Sequence, residues 1–166
     1  MKIVKPLLVF LFILFLPFNL NAKKIDESIA VSHIVTGDVV NLSNGKTARL
    51  LCVDAPEITH RGKEREPFAR EAIAFMRKEF EDKKVRLEFG EKIDDGIGRI
   101  FVYIYRVSDG MFLNAELIKR GLAKADESPE CGKKPEFKMF ELAAKNQKLG
   151  LWAVKGNAND KNSKKS

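Results

Sequence analysis

The 166-residue chain has few of the residues that build thiolate sites or disulfide frameworks, with only two cysteines and two histidines. The cysteines are far apart and form no CxxC pair, which excludes a disulfide-dense scaffold and a zinc–cysteine site. The histidines are also far apart, which argues against a histidine-rich transition-metal centre. Apolar residues make up 45% of the chain and charged residues 32%, a balance that excludes a wholly disordered protein.

Acidic residues are outnumbered by basic ones, 23 to 30, which gives a net charge of +7. An excess of this sign favours a polyanionic partner, although it carries no information about fold. The length is that of one ordinary domain, and no internal repeat divides it. We therefore expect a single basic domain, acting as a monomer.

The start of the chain differs from the rest. Lys2 and Lys5 precede an apolar run over residues 7–18, and the run ends at Asn21-Ala22. This order is typical of a secretory signal peptide, and the run is shorter than the roughly 20 residues of a membrane-spanning helix. We predict secretion or a periplasmic location, with no stable membrane partner after cleavage. An uncleaved membrane anchor remains the alternative, because Leu20 is a poor residue near a cleavage point.

The sequence suggests four segments. They are a signal peptide (1–22), a short lead-in (23–28), a folded domain (29–153) and a disordered basic tail (154–166). Export would place Cys52 and Cys131 in an oxidising compartment, where they can pair. Because Cys52 lies within an apolar strand run, an unpaired and buried small side chain is the simpler interpretation.

The pattern of the folded part predicts strands first and helices inserted later. Asn44-Gly45 marks a hairpin turn, because this pair accepts positive φ angles. Alternating and continuous apolar runs predict five strands, at 29–35, 39–42, 47–53, 84–89 and 99–107, and helical spacing predicts helices at 67–80, 113–120 and 135–149. The expected fold class is α+β, a five-stranded OB-type β-barrel with about three packed helices.

Acidic and basic residues gather around the first predicted hairpin. Asp38 precedes one of its strands, and Asp54 and Glu57 follow the other. Because a hairpin brings residues on either side of its turn together, Asp38 and Asp54 are expected to meet at one end of the sheet. Arg49 lies on the return strand, and Arg99 begins a later strand.

This set of residue types suits metal-assisted phosphodiester hydrolysis. Carboxylate oxygens are hard ligands that prefer Ca²⁺ or Mg²⁺, and arginines bind phosphate oxygens through paired donors. A remaining glutamate can take a proton from water. A solvated cluster of surface salt bridges is the alternative, since charged residues form such clusters far more often than active sites.

Several motifs in order resemble the staphylococcal nuclease (thermonuclease-like) family. The resemblance runs from about residue 29 to 152 and rests on His33-Ile-Val-Thr-Gly-Asp38, Arg49-Leu-Leu-Cys-Val-Asp54-Ala-Pro-Glu57, Asp95-Gly-Ile-Gly-Arg99 and Leu113-Asn-Ala-Glu. It implies an OB-type barrel with three helices and Ca²⁺-dependent cleavage of DNA and RNA.

The resemblance also implies a role for each matching residue. Asp38 and Asp54 match calcium carboxylates, and Ala55 matches a position whose backbone carbonyl contacts the metal. Glu57 matches the general base or water-positioning acid. Arg49 and Arg99 match the phosphate-binding arginines.

Two departures from the family pattern lie close to these residues. Thr36 stands where the family commonly has an aspartate, and Ile97 stands where it has a tyrosine that packs near the bound nucleotide. A catalytically inactive OB-type module that binds nucleic acid or protein is therefore the alternative function. Such a module would be expected to have lost acids or arginines of the site, and this chain retains them all.

Overall fold

The computed structural model describes residues 29–58, 66–128 and 131–153. The predicted signal peptide, lead-in and basic tail lie outside the described residues, which all fall within the predicted folded domain. The strands are β1 (Val31–Ile34), β2 (Val39–Leu42), β3 (Thr47–Leu50), β4 (Val53–Asp54), β5 (Val85–Asp94), β6 (Arg99–Arg106) and β7 (Lys124–Ala125). The helices are α1 (Ala69–Phe80), α2 (Leu113–Lys119) and α3 (Lys134–Asn146), followed by a 3-10 turn at Gly150–Trp152.

Five strands form one mixed sheet in the order β1-β2-β3-β6-β5. Neighbours pair antiparallel except β3 and β6, which run parallel, and β4 pairs with β7 in a separate two-stranded sheet. The α+β class, the five-stranded sheet and the three helices are therefore confirmed.

The prediction of a closed barrel is wrong. Closure requires a continuous ladder between the two edge strands. Here β1 and β5 meet at one end only, through an isolated bridge between Ala30 and Lys84 and a hydrogen bond from Val31 N–H to the Lys83 carbonyl. β1 has four residues and β5 has ten, so most of β5 has no β1 backbone to pair with.

The predicted strand 47–53 is interrupted at a turn. Cys52 adopts a φ of 63°, a left-handed conformation that breaks the extended backbone between β3 and β4. The prediction of an unpaired cysteine is also wrong, because Cys52 forms a disulfide with Cys131, 79 residues later. Both cysteines are buried, as expected for Cys52.

The loop predicted at 90–98 is shorter in the structure. β5 continues to Asp94, and a tight turn leads directly into β6. Gly96 and Gly98 occupy this turn with φ angles of 78° and 96°, a conformation open to glycine without steric cost. The turn places Arg99 at the first position of β6.

The helices pack on the sheet through apolar faces at helical spacing. In α1 the buried residues are Ala69, Ala72, Ile73, Met76 and Phe80. The helix begins two residues later than the sequence predicts, because Phe68 at its N-cap has a φ of 66°. Among the described residues, no helix has the length and apolarity needed to cross a membrane.

The disulfide closes a long loop, so its loss should lower stability. A cross-link of this kind restricts the unfolded chain and typically contributes about 2–4 kcal/mol. We expect a Cys52→Ala/Cys131→Ala variant to lose about that much free energy of unfolding in urea titrations. Dithiothreitol should destabilise the wild type and leave the variant unchanged. Equal midpoints for variant and wild type would show that the cross-link contributes nothing.

Candidate active site

An open cavity of about 1020 Å³ lies between the first hairpin, the start of β6 and one face of α1. It is lined by all six residues that the sequence nominated for the site, Asp38, Arg49, Asp54, Ala55, Glu57 and Arg99. These residues come from three separate stretches of chain, which the sheet brings together. The structure thus places all six at one cavity.

Asp38 lies between β1 and β2 and is held by a local hydroxyl and by Arg49. Its Oδ1 accepts a 2.7 Å hydrogen bond from the Thr36 hydroxyl, and its Oδ2 is 3.6 Å from Arg49 Nε. Its backbone carbonyl accepts a hydrogen bond from Leu50 N–H at 2.8 Å, which continues the β2–β3 hairpin by one residue. Where the family commonly has an aspartate, Thr36 therefore acts as a hydrogen-bond donor to the carboxylate.

Asp54 lies in β4, directly across from Lys124 of β7. The pKa of its carboxyl is raised above the ordinary value, first because the surrounding protein removes part of its water. Repulsion from Asp126 and Asp38 adds to this effect, and Lys124 opposes it. Asp54 is thus close enough to Asp38 for the two carboxylates to repel each other.

Glu57 is exposed, and its backbone is fixed on both sides. Its N–H donates to Glu66 Oε2 at 2.9 Å, and its carbonyl accepts from Glu66 N–H at 3.3 Å. Among the described residues, no group bonds to the Glu57 carboxylate. The side chain is therefore free to interact with a molecule in the cavity.

Arg49 and Arg99 lie on neighbouring parallel strands. In the register of β3 and β6, Arg49 pairs with Phe101 and Thr47 pairs with Arg99. Because side chains two residues apart on a strand share a face, both arginines project from the same side of the sheet. Their guanidinium groups therefore approach the cavity from one wall.

Asp95 holds Arg99 in place, a role that sequence reasoning missed. Asp95 Oδ2 accepts from Arg99 Nε at 2.5 Å, and Oδ1 accepts from the N–H groups of Ile97 and Arg99. Burial opposes ionisation of Asp95, but these hydrogen bonds outweigh it and lower its pKa. The sequence offered one signal for this pair, since Asp95 and Arg99 are four residues apart across a turn that contains two glycines. Ile97 itself is 78% exposed at the tip of this turn.

Two further arginines of α1, Arg70 and Arg77, also line the cavity and were not predicted. Their spacing of seven residues puts them on one side of a helix. The apolar stripe of α1 was the stronger sequence signal, and it describes only the face that packs on the sheet.

The residues from Asp54 to Glu57 have open space on two sides. They also border a second cavity of about 410 Å³, together with Phe68 and Trp152. The Trp152 indole N–H is buried, and within the described part of the chain it has no hydrogen-bond partner. With cavities on both sides, the position of Asp54 and Glu57 depends on their backbone contacts and on the packing of Ala55.

The oxygen donors of the site are few. Among residues 29–58, 66–128 and 131–153, no three His, Cys, Asp or Glu side chains come together as a metal-binding group. Two aspartates and a neighbouring backbone segment face the cavity instead. Oxygen ligands of this kind are suited to a hard cation and unsuited to zinc.

Comparison with known proteins gives a consistent result. A family described as "Staphylococcal nuclease homologue" matches residues 47–154, a span that begins after Asp38. The chain is 29% identical over 130 residues to the thermonuclease of Staphylococcus intermedius, covering 76% of each protein. It is 31% identical over 147 residues to endonuclease YncB of Bacillus subtilis, covering 84% of this chain and 68% of YncB.

Gly37 packs closely against Ala55 and so constrains the position of Ala55. A larger residue at position 37 should therefore disturb the site. A Cβ on Gly37 would lie 2.6 Å from the Cβ of Ala55 and 3.4 Å from that of Ala72. We expect Gly37→Ala to lower the free energy of unfolding by about 1–3 kcal/mol, the usual effect of overpacking. Urea titration followed by circular dichroism measures this.

The matched control is Gly132→Ala, whose Cβ would meet only the Tyr103 hydroxyl, at 3.8 Å. That variant should be as stable as the wild type or slightly more stable, because alanine restricts the unfolded chain. If both variants change stability equally, contact between Gly37 and Ala55 does not constrain the segment.

Proposed function

The chain belongs to the staphylococcal nuclease homologue family, and we propose that it is a Ca²⁺-dependent nuclease that hydrolyses phosphodiester bonds in DNA and RNA. The observation that carries the proposal is the single cavity lined by Asp38, Asp54, Glu57, Arg49 and Arg99. An inactive binding module would have no need for three carboxylates and two arginines in one place.

Asp38 and Asp54 fit the role of calcium carboxylates. The charge of Asp38 raises the pKa of Asp54, so the two groups repel each other and would be stabilised by a cation between them. The backbone carbonyl of Ala55, in the residue after Asp54, is the proposed third protein ligand. A bound Ca²⁺ would supply positive charge that neutralises a phosphate oxygen and favours loss of a proton from water.

Arg49 and Arg99 would bind the phosphate from the sheet side. Each carries a planar group with paired donors that match two phosphate oxygens, and the match improves as negative charge develops on those oxygens. Both are held by carboxylates, Arg49 by Asp38 and Arg99 by Asp95, which fixes their direction before substrate binds.

Glu57 is the proposed general base. Its carboxylate would accept a proton from a water molecule as that water's oxygen forms a bond to phosphorus and the bond to the leaving oxygen breaks. Backbone hydrogen bonds with Glu66 fix the position of Glu57 while its carboxylate stays free. This combination is what proton transfer at a defined point in a cavity requires.

We further propose that the protein acts outside the cytoplasm as a monomer. The charged and apolar start of the chain supports export, and so does the disulfide between Cys52 and Cys131. Disulfides persist in secreted and periplasmic proteins and are rare in reducing compartments. An uncleaved N-terminal anchor is the alternative location.

Initial rates of DNA and RNA hydrolysis against Ca²⁺ concentration test the catalytic assignment. Wild type should be active in Ca²⁺ and inactive in EGTA. Arg99→Lys keeps the charge but loses the planar group, and should slow hydrolysis on the order of a hundredfold. Asp38→Asn should shift activity to higher Ca²⁺, whereas Glu57→Gln should lower turnover with little change in the Ca²⁺ requirement.

Matched controls are Arg120→Lys and Glu91→Gln, which make the same chemical changes outside the cavity. Both should retain wild-type rates, and circular dichroism should show every variant folded. If the three site variants keep wild-type rates and the same calcium dependence, the assignment is wrong and the binding-module function replaces it.

A further inference from the structure

Helix α1 presents a mixed face to the cavity. Arg70, Ile73, Ala74 and Arg77 all line it, at the spacing i, i+3, i+4 and i+7 that follows one side of a helix. The face therefore has a cation at each end and small or apolar groups between. None of these residues belongs to the calcium and phosphate set described above.

The two α1 arginines differ from the two sheet arginines in their counter-ions. Arg49 is 3.6 Å from Asp38, and Arg99 is 2.5 Å from Asp95. Among the described residues, no carboxylate lies within 4.0 Å of Arg70 or Arg77, and both are exposed. Two exposed cations on one wall of a cavity favour an anionic ligand that reaches them both.

Arg70 and Arg77 are separated along α1 by more than a single phosphate group would span. Seven residues at about 1.5 Å each place the two Cα atoms about 10 Å apart along the helix axis. Along one nucleic-acid strand, phosphates follow one another at about 3.4 Å of axial rise in a duplex. The two arginines are thus anchored far enough apart on the helix to reach different phosphates of one strand.

The volume of the cavity agrees with a ligand larger than one nucleotide. At about 1020 Å³ it is at the upper limit of ordinary small-molecule sites, which span roughly 300–1,000 Å³. Between the two arginines the wall is formed by the exposed Ala74 and the largely buried Ile73, where the sugars between phosphates would pass. An isolated phosphate would leave most of this wall unused.

We infer that α1 forms a second phosphate-binding wall, in which Arg70 and Arg77 hold phosphates flanking the one that is cleaved. The inference rests on the proposed nuclease function and specifies its substrate, a polynucleotide strand in preference to a dinucleotide. The two arginines are binding residues, and the reaction itself stays with the sheet side of the cavity.

Salt dependence of binding tests this directly. Fluorescence anisotropy of a labelled 15-nucleotide single strand, titrated with protein in EGTA at several NaCl concentrations, gives the slope of log K against log salt. Each lost phosphate contact should reduce that slope by about 0.7 for a single strand. We therefore expect Arg70→Gln/Arg77→Gln to reduce it by about 1.4.

The control removes two positive charges that do not line the cavity. Lys78 lies next to Arg77 on α1 and is 82% exposed, and Lys138 of α3 is 56% exposed. Lys78→Gln/Lys138→Gln should leave the slope unchanged. An equal reduction in both double variants, no reduction in the arginine variant, or no binding by wild type would overturn the inference.

Cleavage in Ca²⁺ separates this inference from the function on which it rests. The arginine variant should lose more kcat/KM on the 15-nucleotide strand than on a dinucleotide, since only the strand reaches α1. Equal losses on the two substrates would contradict a flanking-phosphate role. If wild type binds the strand with the expected slope and does not cleave it, the nuclease function fails while the binding wall stands.

Discussion

Asn114, buried at the start of α2, satisfies backbone groups of one strand, β6, and of the turn that follows β3. Its side-chain N–H groups donate to the carbonyls of Leu51 at 2.9 Å and Val102 at 3.2 Å, and its Oδ1 accepts from Ile104 N–H at 3.0 Å. Among the described residues it is the one polar side chain recorded as buried. Such a group persists in a core only when its hydrogen bonds are made, so it specifies one arrangement of its neighbours.

That arrangement determines the geometry of the site. Leu51 is the first residue after β3, two residues after Arg49 and three before Asp54. Its N–H also donates to the Val102 carbonyl at 2.9 Å, so the turn is joined to β6 twice, once directly and once through Asn114. β6 in turn begins with Arg99. The direction in which Arg49, Asp54 and Arg99 leave the sheet thus follows from one buried amide and the turn that it fixes.

The two walls of the cavity differ in how their arginines are paired with carboxylates. On the sheet side each arginine is held by a carboxylate, and Asp54 carries a charge that its surroundings disfavour. On the helix side the arginines have no such partners among the described residues. Cations held by carboxylates suit a reacting phosphate, whose charge changes in one place, and exposed cations suit flanking phosphates that only need to be bound.

Sequence reasoning identified five of the six residues at the cavity from local chemistry, and the family resemblance added Ala55. Asn44-Gly45 defines a hairpin, the hairpin sets Asp38 near Asp54, and Gly96 and Gly98 define the turn before Arg99. It missed what depends on tertiary contacts. The left-handed conformation of Cys52 has no signature in its neighbours. Cys52 lies in a turn whose contacts are distant in sequence, a disulfide to Cys131 79 residues away and a hydrogen bond between Leu51 and Asn114, which are 63 residues apart.

The other differences between the sequence-based predictions and the structure also depend on tertiary contacts. Whether a five-stranded sheet closes depends on pairing between its edge strands, and here Ala30 and Lys84 meet across the fold in an isolated bridge. The cavity positions of Arg70 and Arg77 depend on the orientation of α1, and its apolar stripe identifies only the buried face, which shares Ile73 with the cavity wall. The predicted signal peptide, basic tail and cellular location stay predictions.

Calcium binding itself tests the central claim, that the carboxylates at this cavity form a metal site. Isothermal titration of Ca²⁺ should show one site in the wild type and in Glu91→Gln, an exposed acid outside the cavity. In Asp54→Asn the affinity should fall at least about tenfold, because one charged ligand is lost. Equal affinity in Asp54→Asn and wild type, or no binding to the wild type, would contradict the account.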